Sequence, residues 1–433
     1  MSYLAIQKME SFTGTLVAPP SKYHTHRAFI LASLAEGESV ITGTSESLDN
    51  MSTVRCLTKL GTRFQKISDG YTVRGGAYQT PDDVLDVGNS GSTIHFLLAL
   101  ASTVPGAVVF TGDDSIRSRP QKQYLDALNR WGIQAFSTRG DGRPPIVVTH
   151  RDPRTLPTDV EVDGLISPWT TGLILLAPFT GHDVTVRVTG AIQEASYVAM
   201  TVDMLTRFNI RVETAADRAT YFVPGGQTYR PAPIHIPGDI ALASFGLALA
   251  ALSGSRITYE NIDLSIVHPE AAIVPALQRM GADVRIDARA RTLEIVGGRR
   301  LQGIEVDCGD APDMVPVLSV LLALAKGRSR IYNAAQLRYK ECDRLAAMTQ
   351  LNKMGARVTE TADGLEFEGV EQLHGATIDS FKDHRVQMSF AVAGCVADGV
   401  TYVSDAQAAG VSYPGFIRDI KNLGAKIEIV ERV

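Results

Sequence analysis

Cysteine is scarce in this chain of 433 residues, and the four that occur, Cys56, Cys308, Cys342 and Cys395, stand far apart with no CxxC pair among them. That spacing offers neither a zinc site nor a disulfide framework, and small apolar side chains in a core are the simpler reading. Neither GxGxxG nor GxxxxGK[ST] occurs, so a Rossmann or P-loop nucleotide site is not indicated, and no HExxH pair is present to hold a catalytic zinc. No apolar run reaches membrane-spanning length without a charge or a glycine, and MSYLAIQKMESFTG lacks a basic segment followed by an apolar one. We therefore expect a cytoplasmic protein with no membrane partner. Charge blocks and low-complexity stretches are also missing, and a net charge of −5 argues against a nucleic-acid surface.

What the chain does have is a sixfold repeat. An apolar helix-like run, a glycine, a β-branched strand-like run and a second helix recur with a period of roughly 70 residues, and such a period decides the architecture. The first glycines are Gly37, Gly106, Gly181, Gly254, Gly327 and Gly399; the second turn residues are Gly61, Gly132, Asn209, Gly281, Gly355 and Gly424. Helices commonly close on a left-handed residue, which glycine adopts freely and asparagine tolerates, so Asn209 reads as the one substitution within the rule. Runs such as IHFLLALAS and MVPVLSVLLALA are apolar on every side and must be buried. The second helices are amphipathic: in CDRLAAMTQLNKMG, Leu345, Met348, Leu351 and Met354 recur at helical spacing. Each unit reads as strand, apolar helix, strand, amphipathic helix, strand. A chain of this length forms two to three domains, so the six units should group into two halves of three. The break lies near TYRPAPIHIPGD, with a matching crossing near VAPPSK that lets the first strand pair with the distant half. The boundaries expected are 1–18 with 237–433 for one domain and 19–236 for the other.

Several segments are specific enough to carry a resemblance: PPSKYHTHRAFILASLAEG, DVGNSGSTIHFLLALAS, SIRSRPQ, VDGLISPWTTGLILLAP, PGDIALASFGLALAAL, DAPDM, LRYKECDRLAAMTQLNKMGA and DHRVQMSFAVAG. Over essentially its full length the chain resembles the enolpyruvyl transferases, and their EPSP synthase branch more than their UDP-N-acetylglucosamine branch; RxKExDR followed by DHR is the strongest joint signal. The resemblance implies an inside-out α/β barrel of two domains, each of three βαβαββ units with helices inside and sheets outside, closing on substrates at a hinge. It also implies transfer of the carboxyvinyl group of phosphoenolpyruvate to an alcohol with loss of phosphate.

That reaction removes a proton from the hydroxyl, delivers one to the methylene carbon and expels phosphate from a tetrahedral intermediate. The site must hold two anions and supply acid and base groups, and arginine suits the anions because its planar fork binds carboxylate or phosphate through paired hydrogen bonds. By resemblance, Arg344 and Arg385 bind the phosphoenolpyruvate carboxylate, while Lys22, Arg119 and the backbone at Gly91 hold its phosphate. GNSGS leaves bare amides at the start of a helix, where an anion is favoured, although alone it reads equally as a turn. Asp313 and Glu341 are the candidate acid–base pair, since two carboxylates in one site can be driven to different pKa values, and Lys22 shares in proton transfer. Taken alone, Glu341 would be a solvated helix residue paired with Arg344, and Lys22 and Arg27 two exposed cations at a helix start. His24, His26, His95 and His384 show no metal spacing; His384 sits in DHR, where it supports Arg385 or the phosphate site. The chemistry calls for no metal, nucleotide or prosthetic group, and a monomer is expected.

Departures from the family cluster on the acceptor side, where the resemblance places Tyr23, Arg27, Ser167, Trp169, Glu194, Gln336 and Lys340. Tyr23 stands for a serine, Ser167, Pro168 and Trp169 for a serine–serine–glutamine triplet, and Glu194 for a phosphate-binding serine. His95 stands for an arginine, Gln336 for an asparagine and Val411 for a lysine. Losing contacts to a dianion costs about 1.5–3 kcal/mol each. The expectation is a divergent relative that keeps the enolpyruvyl chemistry and takes an acidic, cyclic, hydroxylated acceptor lacking the phosphate, held by Arg27 and walled by Trp169. The alternatives are an ordinary EPSP synthase; a nucleotide-sugar transferase, which would want a cysteine where Asp114 stands; a binding protein without turnover; and an RNA-phosphate cyclase, disfavoured by the acidic balance.

Overall fold

The computed structural model describes residues 2–431. Each repeat condenses around a helix that has no polar flank to turn toward water. Helices Gly91–Leu100, Ser167–Leu176, Ile240–Ser253 and Val315–Leu324 are buried almost throughout, as their composition requires. The other two, Lys22–Leu34 and His384–Val396, are equally buried but carry charged and polar side chains in their first turns. Burial of these groups demands partners, and the partners build the sites described below.

Around these helices lie six four-stranded sheets with one shared topology. In the sheet of the third repeat, Asp159–Asp163 runs parallel to Val184–Thr189, which pairs antiparallel with Thr220–Val223, which pairs antiparallel with Glu213–Thr214. A strand pair follows the second helix where the sequence suggested a single strand: the hairpin turns are short, as at Arg63–Ile67 and Gly70–Gly75, and leave little signal between the two runs. The repeat is thus βαβαββ.

Contacts divide the chain into two compact units, Met1–Pro19 with Pro237–Val433 and Pro20–Ile236. In the first unit, Ser2–Gln7 lies between Val400–Ser404 and Lys426–Glu431, and Thr13–Val17 runs parallel to Arg256–Glu260, so the N-terminal strands complete sheets of the C-terminal half. In the second, Pro233–His235 runs parallel to Gly37–Thr42 and completes the first sheet. Each unit has its own apolar core.

All twelve turn residues singled out in the sequence have positive φ, including Asn209 at 66°. Leu345, Met348, Leu351 and Met354 are fully buried, but the segment is a short α-helix, Arg344–Met348, continuing as a 3-10 helix, Thr349–Met354. Their spacing of three residues suits that tighter winding, which stacks them in one row.

Candidate active site

The chemistry-bearing side chains gather at the N-terminal ends of the buried helices, where unpaired amides and the helix dipole favour anions. In the first unit the centre is Arg344, whose side chain is 1% exposed. Its Nη1 donates to Asp313 Oδ1 at 2.6 Å, its Nη2 to Glu341 Oε2 at 2.6 Å, and its Nε to Asp383 Oδ2 at 2.7 Å. Burial alone pulls its pKa down, but Asp383, Glu341 and Asp313 together hold it well above the ordinary arginine value. Arg385, also buried, lies against the same aspartate: Nη1 donates to the Asp313 carbonyl at 3.3 Å and Nη2 stands 3.5 Å from Asp313 Oδ2.

Each member of this cluster is fixed from behind. Asp383 caps helix His384–Val396 by accepting from the amides of Arg385 and Val386 at 2.8 and 3.2 Å, and it accepts from Cys342 Sγ at 3.6 Å. Glu270, fully buried, accepts from the Asp313 amide at 3.1 Å. Asp343 caps Arg344–Met348 and is held in turn by Arg338. The sequence reading missed Asp383 and Glu270; the signal for Asp383 was a carboxylate directly before a helix in KDHR, whereas Glu270 lies within the 3-10 helix Pro269–Ala272 and had no such signal. Gln336 is buried, its Nε2 donating to the Cys308 and Gly309 carbonyls at 3.3 Å each, and Lys340 is half-buried just before Glu341.

In the second unit, Lys22 begins helix Lys22–Leu34, buried, with Nζ 2.9 Å from Asp49 Oδ2. It is therefore not the exposed cation that a helix start alone would suggest. Gly91 begins its helix behind the cap Ser90, and a Cβ added there would stand 2.9 Å from Arg119 Nη1, so glycine is what lets the guanidinium approach. Arg119 Nη2 donates to Ser115 Oγ at 3.0 Å and Asn89 Oδ1 at 3.3 Å. A lysine, an arginine and a bare helix start thus stand at the ends of these elements.

The acceptor-side candidates behave differently from one another. Arg27 is buried and internally committed: Nε donates to Thr201 Oγ1 at 2.8 Å, Nη1 to the Tyr23 carbonyl at 3.1 Å and Nη2 to the Tyr197 carbonyl at 3.0 Å. Burial lowers its pKa to about 10, which leaves it charged at neutral pH. Tyr23 packs at 5.0 Å between ring centroids on Tyr197, a buried neighbour the sequence reading did not flag. Ser167 Oγ donates to Glu194 Oε2 at 3.1 Å, and Glu194 is buried with φ of 58°, a left-handed conformation that strains a non-glycine residue. Trp169 is 1% exposed; it stacks on Tyr124 with centroids 5.8 Å apart, meets His95 edge-on, and donates from Nε1 to Gln121 Oε1 at 3.3 Å. This is a buried position within the core of the second unit.

Among the described residues no group of three or more His, Cys, Asp or Glu side chains is arranged to hold a metal ion, and no helix is long and apolar enough to cross a membrane. Six βαβαββ repeats in two units, with Lys22 and Arg385 in the first turns of two of the buried helices, match the enolpyruvyl transferase class of enzyme. The family model described as EPSP synthase (3-phosphoshikimate 1-carboxyvinyltransferase) matches residues 6–420. The chain is 38% identical to the 3-phosphoshikimate 1-carboxyvinyltransferase of Methanocaldococcus jannaschii over 99% of this chain and 100% of that one. It is 40% identical to the enzyme of that name from Methanocella arvoryzae over 96% and 97% of the two chains. A solved EPSP synthase from Acinetobacter baumannii superposes over both full chains with a TM-score of 0.81 at 26% identity. The chain belongs to the EPSP synthase family.

Proposed function

We propose that the protein transfers the enolpyruvyl group of phosphoenolpyruvate to the 5-hydroxyl of shikimate 3-phosphate, releasing phosphate. The observation that carries the reading is the Arg344 cluster: a fully buried guanidinium shared by Asp313 and Glu341, with Arg385 against the same aspartate. Two arginines can bind the donor carboxylate in place of those internal contacts, and the carboxylates so released are then available for proton transfer. Lys22, Arg119 and the amide of Gly91 take the donor phosphate. The acceptor hydroxyl gives up its proton as its oxygen adds to C2 of phosphoenolpyruvate, and C3 gains a proton. C3 then loses a proton as phosphate leaves, which restores the double bond. Asp313 and Glu341 serve these steps, with Lys22 assisting at the hydroxyl or the departing phosphate.

The acceptor rests on the full-length relatives, all of which bear the 3-phosphoshikimate name, and nothing in those comparisons supports the altered acceptor expected from the sequence. A second reading, an unphosphorylated acid acceptor, is favoured by one observation, the buried Glu194 against Ser167. Steady-state turnover separates the two. A kcat/KM for shikimate 3-phosphate at least 10²-fold above that for shikimate supports the first reading, being the worth of about two charged contacts; the reverse order establishes the second.

A further inference from the structure

Helices Lys22–Leu34 and Leu48–Lys59 meet through two polar rungs. The first is the Lys22–Asp49 pair at 2.9 Å, and the second is His26 Nδ1 against Thr53 Oγ1 at 2.7 Å. On each helix the two members are four residues apart, so the rungs lie one turn from each other on the same face. The second rung continues: Thr53 Oγ1 stands 2.7 Å from Thr93 Oγ1, and Thr93 Oγ1 stands 2.7 Å from Ser90 Oγ, which also accepts from the Thr93 amide at 3.2 Å. His26, Thr53, Thr93 and Ser90 are all fully buried.

Each hydroxyl in this chain owns one proton, so filling every link makes the donors point one way. The direction is set by His26, whose Nε2 is buried with no partner. A proton on Nε2 would orphan a buried N–H, at a cost of about 1–3 kcal/mol, and orphaned donors are rarer in folded proteins than under-used acceptors. The proton therefore belongs on Nδ1. His26 then donates to Thr53, Thr53 to Thr93 and Thr93 to Ser90, leaving the Ser90 proton for an acceptor outside the chain, at the helix start beside Gly91 and Arg119. A protonated imidazole is disfavoured by burial first, then by Lys22 and Arg27, so His26 is neutral at pH 7.

We propose that His26 is a positioning residue for the donor-phosphate cradle, acting through Thr53 and Thr93 to orient Ser90, the cap of the Gly91 helix. The proposal rests on the assignment of phosphoenolpyruvate's phosphate to Lys22, Gly91 and Arg119. It adds that the two helices bearing Lys22 and Gly91 are locked by hydroxyl polarity as well as by packing.

The test uses full-length protein, one sample labelled with ¹⁵N-histidine and a second with ¹⁵N-glycine, with inorganic phosphate as the probe. In the wild type, the His26 ring nitrogens should report a neutral Nδ1–H tautomer unchanged from pH 6 to 8. Thr53→Val should weaken phosphate binding and raise KM for phosphoenolpyruvate, each about tenfold, with KM for the acceptor little changed, and Thr53→Ser should restore both. An Nε2–H tautomer in the wild type overturns the proposal without any variant, and so does phosphate affinity unaltered in a folded Thr53→Val. Phosphate that binds the wild type without shifting the Gly91 amide overturns the cradle assignment itself, whatever the tautomer shows.

Discussion

At the scale of single residues, Arg344 joins Asp313, Glu341 and Asp383 and is the centre of the proposed donor site. Replacing it with lysine keeps the charge but loses the fork, and we expect kcat/KM to fall at least about 10²-fold, whereas alanine should also unfold the first unit more easily by about 3–5 kcal/mol because three carboxylates lose their shared partner. Paired kinetic and urea-denaturation measurements on the two variants separate these effects. Glu341→Gln, which keeps shape and removes the titrating oxygen, should lower kcat by about 10²–10⁴-fold with a smaller change in the KM for phosphoenolpyruvate. His26 gives a pH prediction. Its folded pKa is held well below 6.5 by burial and by Lys22 and Arg27, while the unfolded chain takes up a proton near 6.5. Stability from this group is therefore constant above that pH and is lost below it, by up to about 1.4 kcal/mol per pH unit, and His26→Gln should show a shallower loss between pH 6.5 and 5. Lys22, Arg119, Arg344 and Arg385, assigned by resemblance and of a type that suits the charge of the proposed donor, are all buried. Successive helix positions rotate by about 100°, so Trp169, two places from Ser167, faces another side of its helix. In the structure Ser167 meets Glu194 while Trp169 meets Tyr124. Trp169→Ala should accordingly cost about 3–5 kcal/mol of stability and leave the ratio of kcat/KM between acceptors unchanged.

At the scale of elements, the repeat was readable because its punctuation is steric. A turn that needs positive φ selects glycine, and Asn209, with φ of 66° and its Nδ2 donating to the Thr228 carbonyl at 3.3 Å, fills that place by a different means. Asn209→Ala should destabilise the second unit by about 1–2 kcal/mol and Asn209→Gly by a few tenths at most, a difference that thermal unfolding resolves as several degrees. What the sequence concealed at this scale was backing rather than fold. Asp49 and Glu270 sit in unremarkable local contexts, and their roles exist only because Lys22 and the Asp313 amide are brought to them from 27 and 43 residues away, while Asp383, the first residue of DHR, meets Arg344 from 39 residues away. Arg27 is likewise backed from afar: two of its three internal partners, Thr201 and Tyr197, come from 174 and 170 residues away.

At the scale of the whole molecule, the N-terminal strands tie the chain's start to its C-terminal half. The central claim is a stoichiometry. Purified protein mixed with phosphoenolpyruvate and shikimate 3-phosphate should release one phosphate for each carboxyvinyl ether found by mass spectrometry, with neither product formed when either substrate is omitted. Phosphate release and ether formation only with an unphosphorylated hydroxy acid, or neither product with any acceptor, would contradict it.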